Sequence, residues 1–599
     1  MKIKYILLFL IALLLLPFNV NAACVATYGD LQTASQALAG VGGTVEVCDD
    51  TYDDWCSQSS PLTLDDSGAD DDNHIFIQPE TVGGVTFTGH FNANITGSYV
   101  TFRNFKFLNN DTASLSLKLI TVSGDYVKTS NNSFTNAGIN TSQSGGGRAI
   151  RYEVGADNGH IEYCTFDTFY NSTPVFIYGL NMHMHHNYLH NAHKTSTSQD
   201  SAIQIGDENK TTTDYNAIIE YNYFYDYHER SGGGEAISNK ASSVTYRFNV
   251  FEISDSLTVR NGDECVLDTN YFINPYRQGA RLFGKSHKVL NNYFYGGYTG
   301  YPIILFGSGD QDPFQSGTAG YVAFQDAIVA SNTFINSLET GSAYGISVGN
   351  SKTYPPDTIE FINNLSDQKI GTIYSYGQGT NLTYTTNLCN NYDAATYETG
   401  EQDFCTTEET STRLSFDGYV YRLGAGTTNG TADGDVTDDF DLESRANPPD
   451  IGCDEWVDGL SDINYIQPAE TGVSWNRLTI SDPTPQGGGI AITADLNWTK
   501  PLDQTDCDVY YDCTDGSTLV VDGVDVETYA IPGDIANNTT CYWSVVVNAD
   551  SEAIINGPYT FTTAAGPPIV AESLSGIVQN AGAGRIGINA AGLTIANSP

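Results

Sequence analysis

Positive charge is the scarcest property of this sequence. Only 26 Lys and Arg stand against 71 Asp and Glu in 599 residues, which gives a formal net charge of -45. So acidic a chain excludes the broad basic face with which proteins hold nucleic acid, and we expect no nucleic-acid partner. No Gly-rich phosphate loop and no serine nucleophile elbow stands where its chemistry would need it, which disfavours nucleotide-dependent and serine-hydrolase functions.

Long apolar runs are also scarce, and residues 1–22 hold the one candidate. Lys2 and Lys4 precede an almost wholly apolar stretch, which ends in Val20-Asn-Ala22. This order predicts a signal peptide with a small-residue cleavage site, and the stretch is too short for a membrane span. We therefore expect a secreted or periplasmic protein with no membrane span.

Cysteine is present, and an exported chain permits disulfides. The sequence holds 11 cysteines, an odd number that leaves at least one thiol free. Neighbourhood along the chain predicts pairs of Cys48 with Cys24 or Cys56, of Cys389 with Cys405, and of two among Cys507, Cys513 and Cys541.

The few cations are concentrated in one segment, residues 240–288. This segment holds seven Lys or Arg against five acids, namely Lys240, Arg247, Arg260, Arg277, Arg281, Lys285 and Lys288. A basic strip on an acidic protein predicts a site for an anionic ligand.

A short Asn and Phe motif recurs through the same region. It is found as Asn222-Tyr-Phe224, Asn249-Val-Phe251, Asn270-Tyr-Phe272, Asn292-Tyr-Phe294 and Asn332-Thr-Phe334, with a weaker version at Asn187-Tyr-Leu189. The tightest intervals between its Phe residues are 21 and 22 positions. Such repeats predict a parallel β-helix, in which each Phe stacks on the next and each Asn serves a tight turn through its tolerance of left-handed backbone.

The fold class predicted is all-β, a right-handed parallel β-helix followed by a small β-sandwich. We divide the chain into a signal peptide (1–22), the β-helix (23–456), a linker (457–475), the sandwich (476–565) and a Gly and Ala-rich tail (566–599). A short helix over Asp30 to Leu38 is expected to close the first coil. Alternating aromatic and β-branched residues in the sandwich resemble a fibronectin type III module, with Trp498 and Trp543 in its core.

Several motifs in order along the chain resemble the chondroitinase B and alginate lyase family, polysaccharide lyase family 6. They are His74-Ile-Phe-Ile-Gln-Pro79, Tyr99-Val-Thr-Phe-Arg-Asn-Phe-Lys-Phe107, Glu235-Ala-Ile-Ser-Asn-Lys240, Leu257-Thr-Val-Arg260 and Gly279-Ala-Arg-Leu-Phe-Gly284. The likeness covers roughly residues 25–456. It implies cleavage of a uronate polymer by β-elimination, with Lys240 as the base and Arg260 assisting the leaving group.

The chemistry asks for a group that neutralises the uronate carboxylate, a base at C5 and a proton source at the leaving oxygen. Lys240 and Arg260 are 20 residues apart, close to one turn of the coil, which predicts that they lie on one face with a rung separation of about 4.8 Å. Arg281 is expected to extend this line, and neighbouring guanidinium groups favour the neutral amine that a base requires. The predicted substrate-binding residues are Glu235, Asn239, Arg281, Lys285 and His287.

Calcium is where the chain departs from the family. Relatives that bind calcium use two Glu separated by one residue before the Lys motif, whereas here Gly233 and Glu235 stand at those places. One carboxylate is a poor site for a cation that takes six to eight oxygens, so we predict no metal site and no essential cofactor, and we expect Glu235 to pair with Lys240 instead. Asn261 stands where relatives often have His after the Arg, which leaves the final proton donor open.

A group of histidines forms a second candidate site, with His183, His185, His186, His190 and His193. Strand alternation predicts that His185 and His186 point to opposite faces, which argues against a shared metal ion.

An anionic polysaccharide is the predicted partner, and an acidic surface suited to salt favours alginate from a marine setting. The alternatives are dermatan sulfate or pectate as substrate, or a non-catalytic adhesin that only holds acidic glycans. We expect the insertion at residues 301–325 to shape an end of the substrate groove.

Overall fold

The structure is a computed structural model. It describes residues 24–562 except 57–59, 111–117, 138–147, 170–171, 192, 195–200, 207–212, 230–233, 298–300, 312–319, 337–343, 351, 369–371, 377–378, 391–403, 405–406, 410–413, 417–420, 424–429, 432–435, 441, 443, 455–465, 467, 474–480, 485–486, 489–494, 500–506, 514–517, 525–527, 531–539 and 550–551. The predicted signal peptide and the predicted tail lie outside the described residues. No helix in the described part of the chain is long and apolar enough to cross a membrane.

Three long parallel sheets form the body of the protein, and the chain visits them in turn on every coil. Sheet 1 has 13 strands, Gly43–Val47, Ile75–Pro79, Val100–Arg103, Lys128–Ser130, His160–Glu162, His183–His185, Ile218–Glu220, Thr245–Arg247, Val266–Asp268, Lys288–Leu290, Gln325–Ala330, Asp357–Ile362 and Thr380–Thr385. Sheet 2 has 14 strands, Thr51–Asp53, Thr86–Thr88, Lys106–Leu108, Ser133–Thr135, Thr165–Asp167, Tyr188–His190, Tyr223–Tyr225, Val250–Glu252, Tyr271–Ile273, Tyr293–Tyr295, Thr333–Asn336, Leu365–Gln368, Leu388–Asn390 and Thr407–Glu409. Sheet 3 has 12 strands, Leu62–Leu64, Ala93–Ile95, Lys118–Val122, Arg148–Tyr152, Val175–Ile177, Ser201–Ile205, Glu235–Asn239, Ser256–Val259, Ala280–Leu282, Pro302–Phe306, Tyr344–Val348 and Thr372–Tyr376. This is the right-handed parallel β-helix that the repeats predict.

The recurring Phe residues pack in a column inside the coils, as predicted. Because side chains alternate along a strand, the Phe of each Asn-Tyr-Phe motif points inward and the Tyr outward. The ring centroids of Phe251 and Phe272 lie 4.9 Å apart, and those of Phe272 and Phe294 lie 4.6 Å apart, with nearly parallel planes. Leu189 takes the same position one coil before Phe224.

The Asn of each motif forms a buried ladder at the corner between sheets 1 and 2. Asn249 Nδ2 donates to Asn270 Oδ1 at 3.0 Å, and Asn270 Nδ2 donates to Asn292 Oδ1 at 3.0 Å. The ladder continues in both directions, through Asn187, Asn222, Asn332, Asn364 and Asn387. Left-handed backbone was predicted at these positions and that prediction is wrong, since the preceding residue of the turn takes it, as at Thr269 with φ 53°.

A helix over Tyr28–Ala37 closes the first coil, as predicted, and begins at the side-chain cap of Thr27. Its Leu31 is fully buried among the first strands. A disulfide joins Cys24 to Cys48 and ties the chain before the helix to the end of the first strand. The open end of the β-helix is therefore covered rather than left as a free edge.

The remaining cysteines fall into two groups. Cys513 pairs with Cys541, as one of the predicted alternatives requires. Cys389 is disulfide-bonded, and its predicted partner Cys405 lies outside the described residues. Among the described residues, the thiols of Cys56, Cys164, Cys265 and Cys453 are buried and form no disulfide.

After the last coils the chain returns along the outer face of sheet 2. Tyr271 Oη donates to Phe440 O at 3.1 Å, Cys453 N donates to Thr333 Oγ1 at 3.0 Å, and Val473 N donates to Thr165 Oγ1 at 3.1 Å. Phe440, Cys453 and Ile466 bury an outward column of Tyr and Val side chains on that sheet, Tyr223, Val250, Tyr271 and Tyr293. The described residues of the predicted linker thus contact the β-helix.

Two further sheets follow in the C-terminal region. One contains Ser481–Thr484, Asp495–Thr499 and Thr528–Ala530, and the other contains Gly487–Gly488, Glu552–Thr562, Thr540–Ala549, Cys507–Asp512 and Leu519–Val524. Trp543 is fully buried, as predicted; the side chain of Trp498 lies outside the described part. The described residues also include two short strand pairs, His193–Lys194 with His228–Glu229 and Leu414–Phe416 with Tyr421–Leu423. The fibronectin type III assignment stays a prediction.

Removing one member of the Asn ladder is expected to destabilise the coils. Asn270→Ala leaves the main-chain N–H of Asn249 and the carbonyl of Tyr246 without the side chain that they bond. We expect a loss of about 2 kcal/mol in the free energy of unfolding, because each buried polar group left unpaired costs about 1–3 kcal/mol. The measurement is the urea midpoint of unfolding, with Asn94→Ala, at a half-exposed strand position, as control. Equal midpoints for the two variants would contradict a structural role for the ladder.

Candidate active site

Lys240 and Arg260 lie in one column at the end of adjacent strands of sheet 3. Asn239 is paired in register with Val259, and the next residues continue that register. Lys240 N donates to Ile205 O at 2.8 Å, and Arg260 N donates to Asn239 O at 2.8 Å, so each begins the turn after its strand at the same point of the coil. Both are half-buried. The predicted separation of one coil is therefore observed along the main chain, whereas the placement of the two side chains on one face stays a prediction.

Arg281 does not extend this column, which corrects the prediction. It is paired in register with Thr258, two residues before the Arg260 position. The column continues instead with Phe283, whose N–H donates to Val259 O at 3.0 Å. Because residues two apart on a strand share a face, Arg281 still lies on the outer face of sheet 3, beside the column rather than in it.

Glu235 organises the two arginines. Its carboxylate is 3% exposed and accepts from Arg260 Nε through both oxygens, each at 2.8 Å, while Arg260 Nη2 lies 2.8 Å from Oε1. Arg281 Nη1 is 3.7 Å from the same Oε1. These paired hydrogen bonds between guanidinium and carboxylate fix the guanidinium plane, so Glu235 positions Arg260. Because its carboxylate is buried, Glu235 is not exposed for contact with substrate. The predicted pairing of Glu235 with Lys240 stays a prediction.

The insertion at 301–325 brings a tyrosine to the column. Tyr321 stacks on Phe283 with ring centroids 4.4 Å apart, and Arg260 Nη1 lies 3.4 Å from Tyr321 Oη. Lys352, which is paired with Asp310, holds its Nζ 4.9 Å from the centre of the Tyr321 ring. A Cβ at Gly307 would lie 2.0 Å from the Phe283 ring, so glycine is required for this packing. Tyr321 therefore lies beside Arg260, at a position that the sequence motifs did not predict.

Two predicted substrate-binding residues lie inside the coil. Asn239 is fully buried and its side chain bonds the main chain of Ala241, which shapes the turn that carries Lys240. His287 is 1% exposed, with Nδ1 accepting from Cys265 N and Nε2 donating to Phe283 O at 3.1 Å each. Burial lowers the pKa of His287, which favours this neutral form. Both predictions are corrected, because these side chains support the site from within and do not reach solvent.

The other cations of the basic segment are divided among the sheets. Lys285 is half-buried on the turn between sheets 3 and 1, where its N–H bonds Asp263 Oδ1. Arg247 and Lys288 belong to strands of sheet 1, and Arg247 pairs there with Glu220. The basic strip along the sequence thus becomes a smaller cluster of Lys240, Arg260 and Arg281 on sheet 3.

Further cations on the same face of sheet 3 come from earlier coils. The Arg148 guanidinium lies 3.9 Å from the centre of the Phe176 ring, and that of Arg151 lies 4.8 Å from the centre of the Tyr178 ring. Burial and the charge of Arg151 lower the pKa of Arg148. Phe176 is in register with Gln204, and Gln204 with Ser238 on the Lys240 strand. Cations and aromatic rings therefore occupy two earlier coils of this face, and the coil that carries Gln204 separates them from the Lys240 strand.

The residues present do not fit the calcium site of the family. Both oxygens of Glu235 accept hydrogen bonds from Arg260, and Gly233, which has no side-chain oxygen, lies outside the described residues. A cation here would have to displace the Arg260 guanidinium from its buried carboxylate partner. Arg260 already supplies the positive charge that pairs with the Glu235 carboxylate.

The histidine group is arranged differently from the prediction. His183 and His185 share one face of their strand, as alternation requires, with Met184 buried between them. His186 follows in left-handed backbone with φ 53°, and its Nδ1 lies 3.0 Å from Nδ1 of His185. The prediction that His185 and His186 point apart is therefore wrong, because the strand ends between them. His190 belongs to sheet 2, where it pairs with Asp167.

The sequence profile of the chondroitinase B family matches residues 29–396. The chain belongs to the chondroitinase B family. This family, polysaccharide lyase family 6, accounts for the order of motifs along the β-helix and places Lys240 and Arg260 within the matched segment. A comparison with curated proteins gives no match.

Solved structures of the family share this fold at low identity. A variant of the alginate lyase AlyGC has a TM-score of 0.59 and 16% identity, over 78% of this chain and 61% of that one. A mannuronic acid specific family 6 lyase from human gut microbiota has a TM-score of 0.52 and 18% identity, over 64% of this chain and 91% of that one. A further family 6 alginate lyase, in complex with a trisaccharide, has a TM-score of 0.51 and 13% identity, over 68% and 90%. The chain spans about three fifths of the AlyGC variant, 61% of its length.

Removing the charge of Glu235 is expected to loosen the site. Glu235→Gln leaves the guanidinium groups of Arg260 and Arg281 without their shared carboxylate, and breaking a buried pair costs about 3 kcal/mol. The measurement is amide hydrogen exchange of strand Ser256–Val259, which should become faster in the variant. Glu360→Gln, at an exposed position on sheet 1, is the control. Unchanged exchange in the Glu235 variant would show that the carboxylate does not hold this strand.

Proposed function

We propose that the protein cleaves alginate by β-elimination, giving products with an unsaturated uronate end. The observation that carries the proposal is the column of Lys240 and Arg260, one amine and one guanidinium at the same point of adjacent coils. Their strands are separated by about 4.8 Å, close to the length of one sugar unit. One uronate linkage therefore fits between the two groups.

Each group has a distinct part in the reaction. Lys240 removes the C5 proton as the base, and the electron pair moves to expel the glycosidic oxygen from C4. Arg281, beside the column, offers a guanidinium that neutralises the uronate carboxylate and the charge that develops on it, and Arg260, held by Glu235, assists the leaving group. Tyr321 Oη, 3.4 Å from Arg260 Nη1, supplies a hydroxyl on the leaving-group side. It fills the role that relatives give to a His at the position of the buried Asn261.

Alginate is favoured as the substrate by the similar structures, which include alginate lyases. It also suits the face of sheet 3, where guanidinium groups meet aromatic rings that can stack on sugars. Dermatan sulfate and pectate are the other uronate polymers to test. The export implied by residues 1–22 would bring the enzyme to such polymers outside the cytoplasm.

Loss of the base is expected to abolish cleavage while leaving binding intact. Lys240→Ala should lower kcat about 10²- to 10⁴-fold, the usual contribution of a general base. The assay follows the absorbance of unsaturated uronate with alginate, dermatan sulfate and polygalacturonate, and affinity electrophoresis in alginate measures binding. Lys288→Ala, on sheet 1, is the matched control with unchanged rate. Binding by the wild type without any absorbance change on all three polymers would show an adhesin instead.

Removing the hydroxyl of Tyr321 is a separate test of its role. Tyr321→Phe keeps the stacking on Phe283 and removes only the oxygen near Arg260. We expect kcat to fall about 10- to 100-fold with little change in KM, because the lost interaction acts on the leaving oxygen. A higher KM with unchanged kcat would instead assign Tyr321 to substrate binding.

Calcium is expected to have no effect on the rate. Protein that has been treated with a chelator and dialysed should cleave alginate equally fast before and after calcium is restored, since guanidinium groups occupy the place of the cation. An increase of more than about tenfold on adding calcium would contradict this expectation, because a cation that neutralises the carboxylate is worth at least about 1.4 kcal/mol.

A further inference from the structure

A square of three histidines and one glutamate lies on the outer face of sheet 1. His160 and Glu162 belong to one strand, and His183 and His185 belong to the next. The register places His160 opposite His183 and Glu162 opposite His185. Ile161 and Met184 between them are fully buried, so the four polar side chains point outward together.

The imidazole rings are already close to one another. The ring centroids of His183 and His185 are 4.4 Å apart, and those of His160 and His183 are 5.3 Å apart. One ring nitrogen from each of the three histidines lies within 4.8 Å of the others. Zinc bound at about 2.0–2.1 Å needs tetrahedral nitrogens about 3.4 Å apart, so small rotations of the rings are enough.

We propose that His160, His183 and His185 bind one divalent transition metal of the zinc class, with Glu162 as the fourth ligand. Glu162 Oε2 is 3.1 Å from His185 Nε2 and 3.8 Å from His160 Nδ1, so the carboxylate lies beside two of the three rings. Three imidazoles with a carboxylate suit zinc, copper or nickel. Calcium and magnesium prefer oxygen ligands.

The neighbouring coil supplies the support that metal-binding histidines require. Glu220 Oε1 accepts from His183 Nε2 at 2.7 Å, and the other Glu220 oxygen accepts from Arg247 Nε. A carboxylate that holds one ring nitrogen orients the ring and leaves its other nitrogen for the metal. Glu220 is thus a positioning residue, and Arg247 fixes Glu220 in turn.

The simpler reading is a set of histidine and carboxylate pairs on the surface. Such pairs are worth little on their own, and they give no reason for two imidazole rings to lie 4.4 Å apart with a third beside them. A shared metal accounts for this crowding. The site is on sheet 1, whereas Lys240 and Arg260 follow strands of sheet 3, so its role is to join two successive coils and not to take part in the elimination.

The site is tested with the full chain prepared without a polyhistidine tag. Isothermal titration of the chelator-treated protein with Zn²⁺ should show one site with a Kd below about 1 µM, and Zn²⁺ should raise Tm by about 2–5 °C. Co²⁺ should give the visible absorption bands of a tetrahedral site, while Ca²⁺ and Mg²⁺ give neither signal. A wild-type protein with no Zn²⁺ site tighter than about 100 µM overturns the proposal.

Variants locate the metal. His185→Asn should weaken Zn²⁺ binding at least about 100-fold, and Glu220→Gln should weaken it about 10- to 100-fold by releasing His183. His190→Asn, on sheet 2, is the matched control and should bind as the wild type does. Circular dichroism establishes that each variant is folded. Full Zn²⁺ affinity in a folded His185→Asn protein would overturn the assignment, and alginate cleavage is read separately so that its outcome does not bear on this one.

Discussion

Coil-to-coil register is the constraint on which the rest of this structure depends. In a parallel sheet a slip of one residue turns every side chain to the other face. The Asn ladder prevents such a slip at the corner of sheets 1 and 2. Each side-chain amide donates to Oδ1 of the next Asn and to a carbonyl of the preceding coil, and each Oδ1 also accepts from the main-chain N–H of the preceding Asn. The Phe column beside the ladder contributes apolar packing, and the hydrogen bonds of the ladder determine the register. Only because register is held in this way do an amine and a guanidinium 20 residues apart come to the same point of two coils.

Electrostatics on sheet 3 follow from one buried carboxylate. Glu235 keeps Arg260 and Arg281 in a fixed arrangement with little exposure, so that the donors are oriented before any ligand arrives. The face continues through Arg148 and Arg151 on their aromatic partners. The protein has a net charge of -45, so this arginine-rich face is a local region of positive charge on an acidic protein. Such a charge distribution directs a polyanion to one face.

Much of the fold, and the spacing of Lys240 and Arg260, could be predicted from the sequence, because both follow from a repeat of about one coil. The Phe and Asn repeats predict the coil, and the 20-residue step from Lys240 predicts Arg260. The prediction that Arg281 extends the column was wrong because coils differ in length, and Phe283 takes that position instead. The predictions for Asn239 and His287 were wrong for another reason. Each is two residues from a fully buried strand residue, Ile237 or Val289, so alternation turns both side chains inward.

Some residues of the site and of the histidine square carried a weaker signal. Tyr321 comes from an insertion, and no local pattern relates it to Arg260. His160-Ile-Glu162 and His183-Met-His185 do carry one, because they repeat a two-residue alternation at a spacing of 23 residues, which is one coil.

The return of the chain over sheet 2 bears on where this protein can be cut. The profile of the family ends at residue 396, yet the tyrosines and valine of the sheet 2 column are covered by Phe440, Cys453 and Ile466 from beyond that point. A fragment ending with the last coil would expose a continuous apolar stripe several coils long, and such surfaces promote aggregation. The part of the chain that packs on the β-helix is therefore longer than the segment matched by the family profile and extends at least to Val473, where the chain bonds Thr165.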